Sequence, residues 1–401
     1  MKFKTMSVHS GQRIDPQTGA LTTPLYQSST FSYFNAQAGK ERFAGQAPGF
    51  IYSRFGNPTT AELEQKLAAL EGADEALVVA SGMAAVSAIM YALADSGDEV
   101  AYIGPLYGGT DAFLKQTFSR AGIKITAYES DQALLANIRP ATKVVLFETL
   151  TNPTLKVVDP RVVVEAARKV GAITVCDNTF LTPYLLRPLE LGIDIVMHSG
   201  TKYLGGHGDI IAGVVAGRHE LMKSIRTVAL KHIGSPIGPQ EAYLLQRGVK
   251  TLPLRMDAHL HNAQKVAEFL DAHPAVKKVI YPGLSSHPGH DALGAFASGF
   301  GGMVSIELEG GFERCATLLD NLQLFVQAVS LGDLESLACH PASTTHAAMD
   351  EASRLAAGVN DDLIRFSIGV EDADDLIPIG LNIRSVLSNL GYKVTSPAPH
   401  R

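Results

Sequence analysis

His198-Ser199-Gly200-Thr201-Lys202-Tyr203-Leu204-Gly205-Gly206-His207-Gly208-Asp209 follows directly on the apolar run Asp194-Ile195-Val196-Met197. An apolar run that ends in hydroxyl residues, a lysine and a glycine series reads as a buried strand opening into a loop. Lys202 then projects an amine beside Ser199 and Thr201. A lysine in a Ser/Gly-rich loop is also what a solvated surface turn looks like. Asp177 separates the two readings: it lies 25 positions upstream, at the end of Ala172-Ile173-Thr174-Val175-Cys176. In a parallel sheet, a carboxylate ending one buried strand and an amine just past the next share the crevice at the strands' C-terminal edge.

A partly desolvated amine is nucleophilic at neutral pH, as Schiff-base chemistry requires. Pyridoxal 5'-phosphate needs this pair: an amine for its aldehyde and an acid to hold its pyridine nitrogen protonated. The chain supplies a candidate phosphate cradle as well. Ala76-Leu77-Val78-Val79-Ala80 reads as a buried strand, and Ser81-Gly82-Met83 opens the apolar helix after it. A strand, a small-residue turn and a helix N-terminus present backbone N–H groups to an anion, although such turns are common in α/β proteins.

Outward from these segments the alternation continues. Strands are predicted near 98–104, 123–129, 142–149, 172–178, 194–198 and 209–216. Helices are predicted near 108–120, 131–138, 159–170 and 184–191. A further helix is expected from Thr59, capped by Thr59 or Thr60, with Leu63, Leu67 and Leu70 as its apolar stripe and Gly72 as its stop. This is the pattern of an α/β fold with a mostly parallel sheet covered on both faces. Beyond about 218 the texture changes. Helical patterns at 218–230, 239–272, 311–320, 349–357 and 373–390, with strands at 277–281, 302–308, 324–330 and 363–369, predict a smaller α+β domain on an antiparallel sheet. The expected division is an arm at 1–60 that packs on a neighbouring subunit, a large domain at 61–245 and a small C-terminal domain at 246–401. The arm is rich in Thr, Ser, Gly and Pro, and little helical periodicity is visible in it.

Composition narrows the function classes. The 401 residues carry 34 Lys+Arg against 40 Asp+Glu, with no long run of either sign, so no nucleic-acid footprint and no membrane surface is expected. The N-terminus lacks the apolar segment of a secretory signal, and no apolar stretch reaches membrane-spanning length. Cys176, Cys315 and Cys339 are widely spaced, which suits thiols in a reducing compartment. A cytoplasmic location is the expectation. No G-x-G-x-x-G follows a first strand, which argues against a dinucleotide-binding dehydrogenase. His207 and His340 lack a second ligand at useful spacing, so no metal site is expected.

Several segments together resemble the Cys/Met-metabolism pyridoxal-phosphate enzymes, in order from about residue 7 to 390. They are Tyr52-Ser53-Arg54, Ala80-Ser81-Gly82-Met83, Leu106-Tyr107-Gly108-Gly109-Thr110, Glu148 with Asn152-Pro153-Thr154, Asp177-Asn178-Thr179, the lysine segment, Val329-Ser330-Leu331-Gly332 and Leu363-Ile364-Arg365-Phe366-Ser367. The resemblance implies the aspartate-aminotransferase-like fold (type I) of pyridoxal-phosphate transferases. It implies Lys202 as the Schiff-base lysine and base, Asp177 as the partner of the ring nitrogen, and Tyr107 as the aromatic that stacks on the ring and moves protons. Ser81, Gly82, Met83, Ser199 and Thr201, with Tyr52 and Arg54 from a neighbouring subunit, would hold the phosphate. Thr179 and Asn152 complete the cofactor set. Arg365, helped by Ser330 and Asn152, would take the α-carboxylate of an amino-acid substrate. A homotetramer built as a dimer of site-sharing dimers is implied too.

Within that family Phe43-Ala44-Gly45 and Val329 to Leu337 look most like methionine γ-lyases, which give a thiol, 2-oxobutanoate and ammonia. Gly109, where those enzymes typically have Cys, and His340 to His346 look like sulfhydrylases. Val329 stands where many cystathionine lyases carry an acid. The expected reaction is α,γ-elimination from methionine. The alternatives are γ-replacement on an O-acetyl- or O-succinylhomoserine, as in sulfhydrylases and cystathionine γ-synthases, cystathionine γ-lysis, and a non-catalytic scaffold. The last would be expected to have lost Lys202, Asp177 or Arg365, and all three are present.

Overall fold

A computed structural model describes residues 1–377. The part of the expected 373–390 helix past residue 377 lies outside the described residues; before it, Ala373–Asp375 is helical. The described chain forms two compact units, one of Met1–Thr149 with Val158–Pro253, the other of Leu150–Val157 with the described residues from Leu254.

The first unit is built on seven strands: β1 (Glu75–Val79), β2 (Glu99–Ile103), β3 (Lys124–Tyr128), β4 (Thr142–Glu148), β5 (Ile173–Asp177), β6 (Ile195–Ser199) and β7 (Gly213–Gly217). Their order across the sheet is β1-β7-β6-β5-β4-β2-β3. All neighbouring pairs are parallel except those of β7, which runs antiparallel to β1 and β6. Strands buried on both faces need continuous apolar sequence, and two apolar clusters supply it. One includes Leu77, Val100, Leu146, Val175, Ile195 and Val215; the other includes Ala101, Val145, Phe147 and Cys176 with Val163 and Ala167 of the helix Pro160–Val170. Glu148 of β4 pairs in register with Asp177 of β5, and Asp177 with Met197 of β6. The register thus gathers these chemically distinctive residues at one edge of the sheet.

The helix Pro58–Glu71 carries the expected stripe, with Leu63, Leu67 and Leu70 all buried, and it stops at Gly72 with φ 70°. Its cap is Asn57 rather than a threonine. Pro58 occupies the first helical position, so the preceding side chain takes the N–H of Thr59, and Thr60 closes the capping box. The 239–272 pattern divides at Thr251 into Pro239–Lys250 and Leu252–Asp271, because Pro253 is tolerated in a first turn but not in a helix interior.

The N-terminal arm holds two helices where none was predicted, Phe3–His9 and Ala36–Phe43. The first is anchored from a distance. Lys66, fully buried, donates from Nζ to the carbonyls of Ser7 and Val8 at 2.9 and 3.1 Å, satisfying the end of a helix too short to persist alone. The second is capped by Asn35, whose side chain accepts from Ala38 N–H.

Among the described residues the second unit has five strands: β8 (Lys278–Ile280), β9 (Met303–Glu307), β10 (Val326–Gln327), β11 (Leu337–Cys339) and β12 (Leu363–Ser367), ordered β10-β11-β12-β9-β8. It is antiparallel apart from the β10–β11 pair. The strand expected over 324–330 shrinks to two exposed residues, and β11 was not predicted. Val304, Ile306, Ile364 and Phe366 pack against Ala263, Val266, Ala267 and Leu270 of the long helix, forming this unit's own core. Among the described residues no helix is long and apolar enough to cross a membrane. Cys176, Cys315 and Cys339 are all buried and free.

Candidate active site

At the end of β1 the chain turns into the helix Gly82–Leu93. Ser81 caps it, its side chain accepting from Ala84 N–H at 3.0 Å. That leaves the N–H groups of Gly82 and Met83 without a hydrogen-bond acceptor among the described residues. A Cβ on Gly82 would meet Cβ, Cα and Oγ of Ser199 at 3.1 to 3.3 Å, so this glycine lets the helix end lie directly on the end of β6. The Ser199 hydroxyl has no partner of its own among the described residues. Two unpaired amides at a helix N-terminus and an unpaired hydroxyl beside them suit a phosphate dianion. Thr201 is turned elsewhere: its Oγ1 accepts from Ala212 N–H at 3.0 Å and donates to Ala212 O at 3.3 Å.

One strand over, Asp177 ends β5. Its Oδ1 accepts from Thr179 N–H at 3.0 Å and from Thr179 Oγ1–H at 2.5 Å, while its Oδ2 has no donor among the described residues. Burial pushes this carboxyl up; the two Thr179 bonds and the charge of His198 pull it down. A carboxylate with one oxygen saturated and the other open fits a protonated ring nitrogen, which would offset the desolvation. Thr179 thus acts on the carboxylate. Its Oγ1 also accepts from Ser199 N–H at 2.9 Å, linking the end of β6 to Asp177.

Lys202 lies three residues past β6, half-buried, in a turn closed by Lys202 N–H to Ser199 O at 3.2 Å and Gly206 N–H to Lys202 O at 2.8 Å. Tyr107 comes after β2 and is 46% exposed, and its backbone N–H donates to Glu148 Oε1 at 2.5 Å. Glu148 therefore fixes the residue that carries the aromatic ring. The sequence showed Glu148 only as part of a resemblance, because its partner is 41 positions away. Gly109 is equally tied to Tyr107: a Cβ there would stand 2.6 Å from Tyr107 Cε1.

Arg54 donates from Nη1 to Leu230 O at 2.8 Å and Lys231 O at 3.3 Å, with its guanidinium 4.4 Å from the Phe55 ring centroid and 5.9 Å from that of Tyr52. The His207 ring is engaged by Gly205 O, and that of His340 by Ser343 Oγ and Asp361 O.

In the second unit Arg365 sits on β12, 2% exposed. Nη1 donates to Asn152 Oδ1 at 3.0 Å, and Nη2 donates to Val329 O at 2.9 Å and Ser330 O at 3.1 Å. These acceptors are neutral, and among the described residues no carboxylate pairs with this guanidinium. Ser330 offers it a backbone carbonyl, and Asn152 reaches it across 213 positions of chain.

The chain matches the sequence model of the family described as Cys/Met metabolism PLP-dependent enzyme over residues 4–378. It belongs to that family. It is 46% identical over 378 residues to L-methionine gamma-lyase of Pseudomonas putida, covering 94% of this chain and 95% of the relative. It is 45% identical over 380 residues to cystathionine gamma-lyase of Bacillus subtilis (strain 168), covering 94% and 97%. A solved structure of a putative O-acetylhomoserine (thiol)-lyase from Campylobacter jejuni subsp. jejuni, with N'-pyridoxyl-lysine-5'-monophosphate, superposes with a TM-score of 0.92 at 34% identity, covering 97% of this chain and 100% of that one. The Cys/Met family comprises pyridoxal-phosphate-dependent lyases and synthases of sulfur amino-acid metabolism, and this chain is such an enzyme.

Proposed function

We propose that the chain is a carbon–sulfur lyase acting at Cγ of a sulfur amino acid, with L-methionine as the leading substrate. Water is consumed, and a thiol, 2-oxobutanoate and ammonia leave. The observation that carries the site assignment is the sheet edge where Asp177, its Oδ2 open, is linked through Oδ1 and Thr179 to Ser199, which lies beside the unpaired amides of Gly82 and Met83. Pyridoxal phosphate bound there supplies an electron sink for carbanions at Cα and Cβ. The protein's part is to hold and move protons. Asp177 keeps the ring nitrogen protonated. Lys202, as a neutral amine, takes the Cα proton; an amine holds only one added proton, so it gives that proton up to the conjugated cofactor–substrate system before taking a Cβ proton. Tyr107 gives a proton to the departing sulfur. Ser81, Gly82, Met83 and Ser199 hold the phosphate; Thr201 braces the loop through Ala212. Arg365, with Asn152 and Ser330, takes the α-carboxylate, because a fork-shaped cation suits a carboxylate bidentately.

Methionine as the leading substrate draws support from the names of the relatives in Pseudomonas putida and Fusobacterium nucleatum, 46% and 44% identical. Gly109 favours a second reading, γ-replacement on an O-acylhomoserine. A side chain at 109 and the present placement of the Tyr107 ring exclude one another, so a chain with glycine here holds the ring differently from one with cysteine. We also propose that the working enzyme is a tetramer of site-sharing dimers in which Tyr52 and Arg54 reach a neighbour's phosphate, and that it is cytoplasmic.

The test is a comparison of kcat/KM for methionine alone against an O-acylhomoserine with sulfide. Elimination predicts 2-oxobutanoate and thiol from methionine at the higher kcat/KM. A higher value for the ester with sulfide, with a new C–S bond in the product, selects the second reading. Lys202→Ala should abolish both activities with the far-ultraviolet circular dichroism of the wild type; turnover by that variant refutes the site.

A further inference from the structure

Glu71 closes the helix Pro58–Glu71, and His198 lies on β6 just before Ser199. His198 Nε2 stands 2.5 Å from Glu71 Oε1, and both side chains are 1% exposed. Among the described residues neither His198 Nδ1 nor Glu71 Oε2 has a hydrogen-bond partner. Taking two such groups out of water is costly, one hydrogen bond offsets only part of that, and apolar side chains of similar volume often stabilise a fold as well or better. Stability alone therefore does not account for this pair.

Its position in the chain does. Met197, the residue before His198, is the register partner of Asp177, and its carbonyl accepts from Asn178 N–H at 3.0 Å. Ser199, the residue after, donates its N–H to Thr179 Oγ1 at 2.9 Å, and Thr179 Oγ1 donates to Asp177 Oδ1 at 2.5 Å. The strand residue that Glu71 grips is thus flanked by the two that hold the Asp177–Thr179 turn.

We propose that Glu71 and His198 are positioning residues for Asp177: they clamp β6 so that the Met197 carbonyl and the Ser199 N–H fix the Asp177–Thr179 turn, and they set a charge behind the carboxylate. This rests on the reading of Asp177 as the partner of the cofactor's ring nitrogen. Electrostatics runs the same way, since burial raises the Asp177 carboxyl and the charge of His198 opposes that rise. Glu148, the register partner of Asp177, and the Cys176 thiol that precedes it are further titratable groups nearby, as is Lys202 past the end of β6. Burial pushes that thiol far up, so it stays neutral.

The test measures the cofactor's dissociation constant from the assembled holoenzyme. Released pyridoxal phosphate is measured at pH values where circular dichroism reports the native fold. The proteins are wild type, His198→Gln, Glu71→Gln and Asp177→Asn. Glutamine at 198 keeps a donor for Glu71 and removes the ring's charge; Glu71→Gln is isosteric and serves should the first variant fold poorly. In the wild type, affinity falls on acidification as Asp177 takes up a proton. In His198→Gln that acid limb moves to higher pH by about one unit, which on the limb is about tenfold weaker binding. Glu71→Gln, which breaks the clamp on β6, also displaces the limb, and Asp177→Asn lacks it. An unmoved limb in the folded variants, whatever their melting temperature, overturns the proposal and leaves the role of Asp177 standing. Wild-type protein that binds no cofactor, or a limb that persists in Asp177→Asn, overturns that role and the proposal with it.

Discussion

Arg365→Ala removes a guanidinium that is 2% exposed and whose acceptors, Asn152 Oδ1, Val329 O and Ser330 O, are all neutral. Its Nε is buried without a partner among the described residues. A substrate carboxylate held by this fork would gain two charge-assisted hydrogen bonds, each worth about 1.5–3 kcal/mol, or about 3–6 kcal/mol together. At about 1.4 kcal/mol per factor of ten, kcat/KM for the amino acid should fall by roughly 10²–10⁴-fold in the alanine variant. Arg365→Lys should fall in between, because an ammonium keeps the charge but loses the fork. The assay is steady-state kinetics of 2-oxobutanoate release, with cofactor content and melting temperature recorded for each variant. A non-reactive amino-acid analogue should raise the melting temperature of the wild type and leave that of Arg365→Ala unmoved. A kcat/KM within about threefold of wild type, in a folded variant with full cofactor, would refute the carboxylate role, since even one lost charge-assisted bond exceeds that.

Three further outcomes are expected. Arg54→Ala should weaken cofactor retention in the assembled protein, measured by dialysis and absorbance, and unchanged retention argues against a phosphate role shared across subunits. Gly109→Ala puts a methyl 2.6 Å from the present position of Tyr107 Cε1, so the ring must turn; the ratio of kcat/KM for methionine to that for an O-acylhomoserine with sulfide should shift by about tenfold or more, and an unchanged ratio contradicts a role for residue 109 in choosing between the two reactions. Burial lowers Lys66 from 10.5 to about 8. The unfolded chain then binds the proton more tightly, so between about pH 8 and 10.5 the wild type should gain stability with rising pH relative to Lys66→Met. Chemical denaturation of the two proteins across that window checks this, and a constant difference between them contradicts it.

Local pattern carried much of the first unit. Continuous apolar runs such as Ala172 to Cys176 and Asp194 to Met197 can be satisfied only by strands buried on both faces, and the residues just past such strands must lie at the sheet's C-terminal edge. Asp177, Ser199 and Lys202 were legible for that reason. The stripe of Leu63, Leu67 and Leu70 and the stop at Gly72 were legible because burial and left-handed backbone are encoded within a few residues.

What the sequence alone determined is therefore the type of each long element and the residues delivered to the sheet edge. Tertiary structure alone decided which of those residues meet. Glu148 reaches Tyr107 N–H across 41 positions, Asn152 reaches Arg365 across 213, and Glu71 reaches His198 across 127. The helix Phe3–His9 persists because Lys66, 58 to 59 positions on, caps its carbonyls, and the Thr201 hydroxyl turns to Ala212. The physical reason is range. Apolar periodicity repeats within a few residues and can be read along the chain, whereas a hydrogen bond between distant groups depends on strand order and register, which exist only once the sheet has assembled.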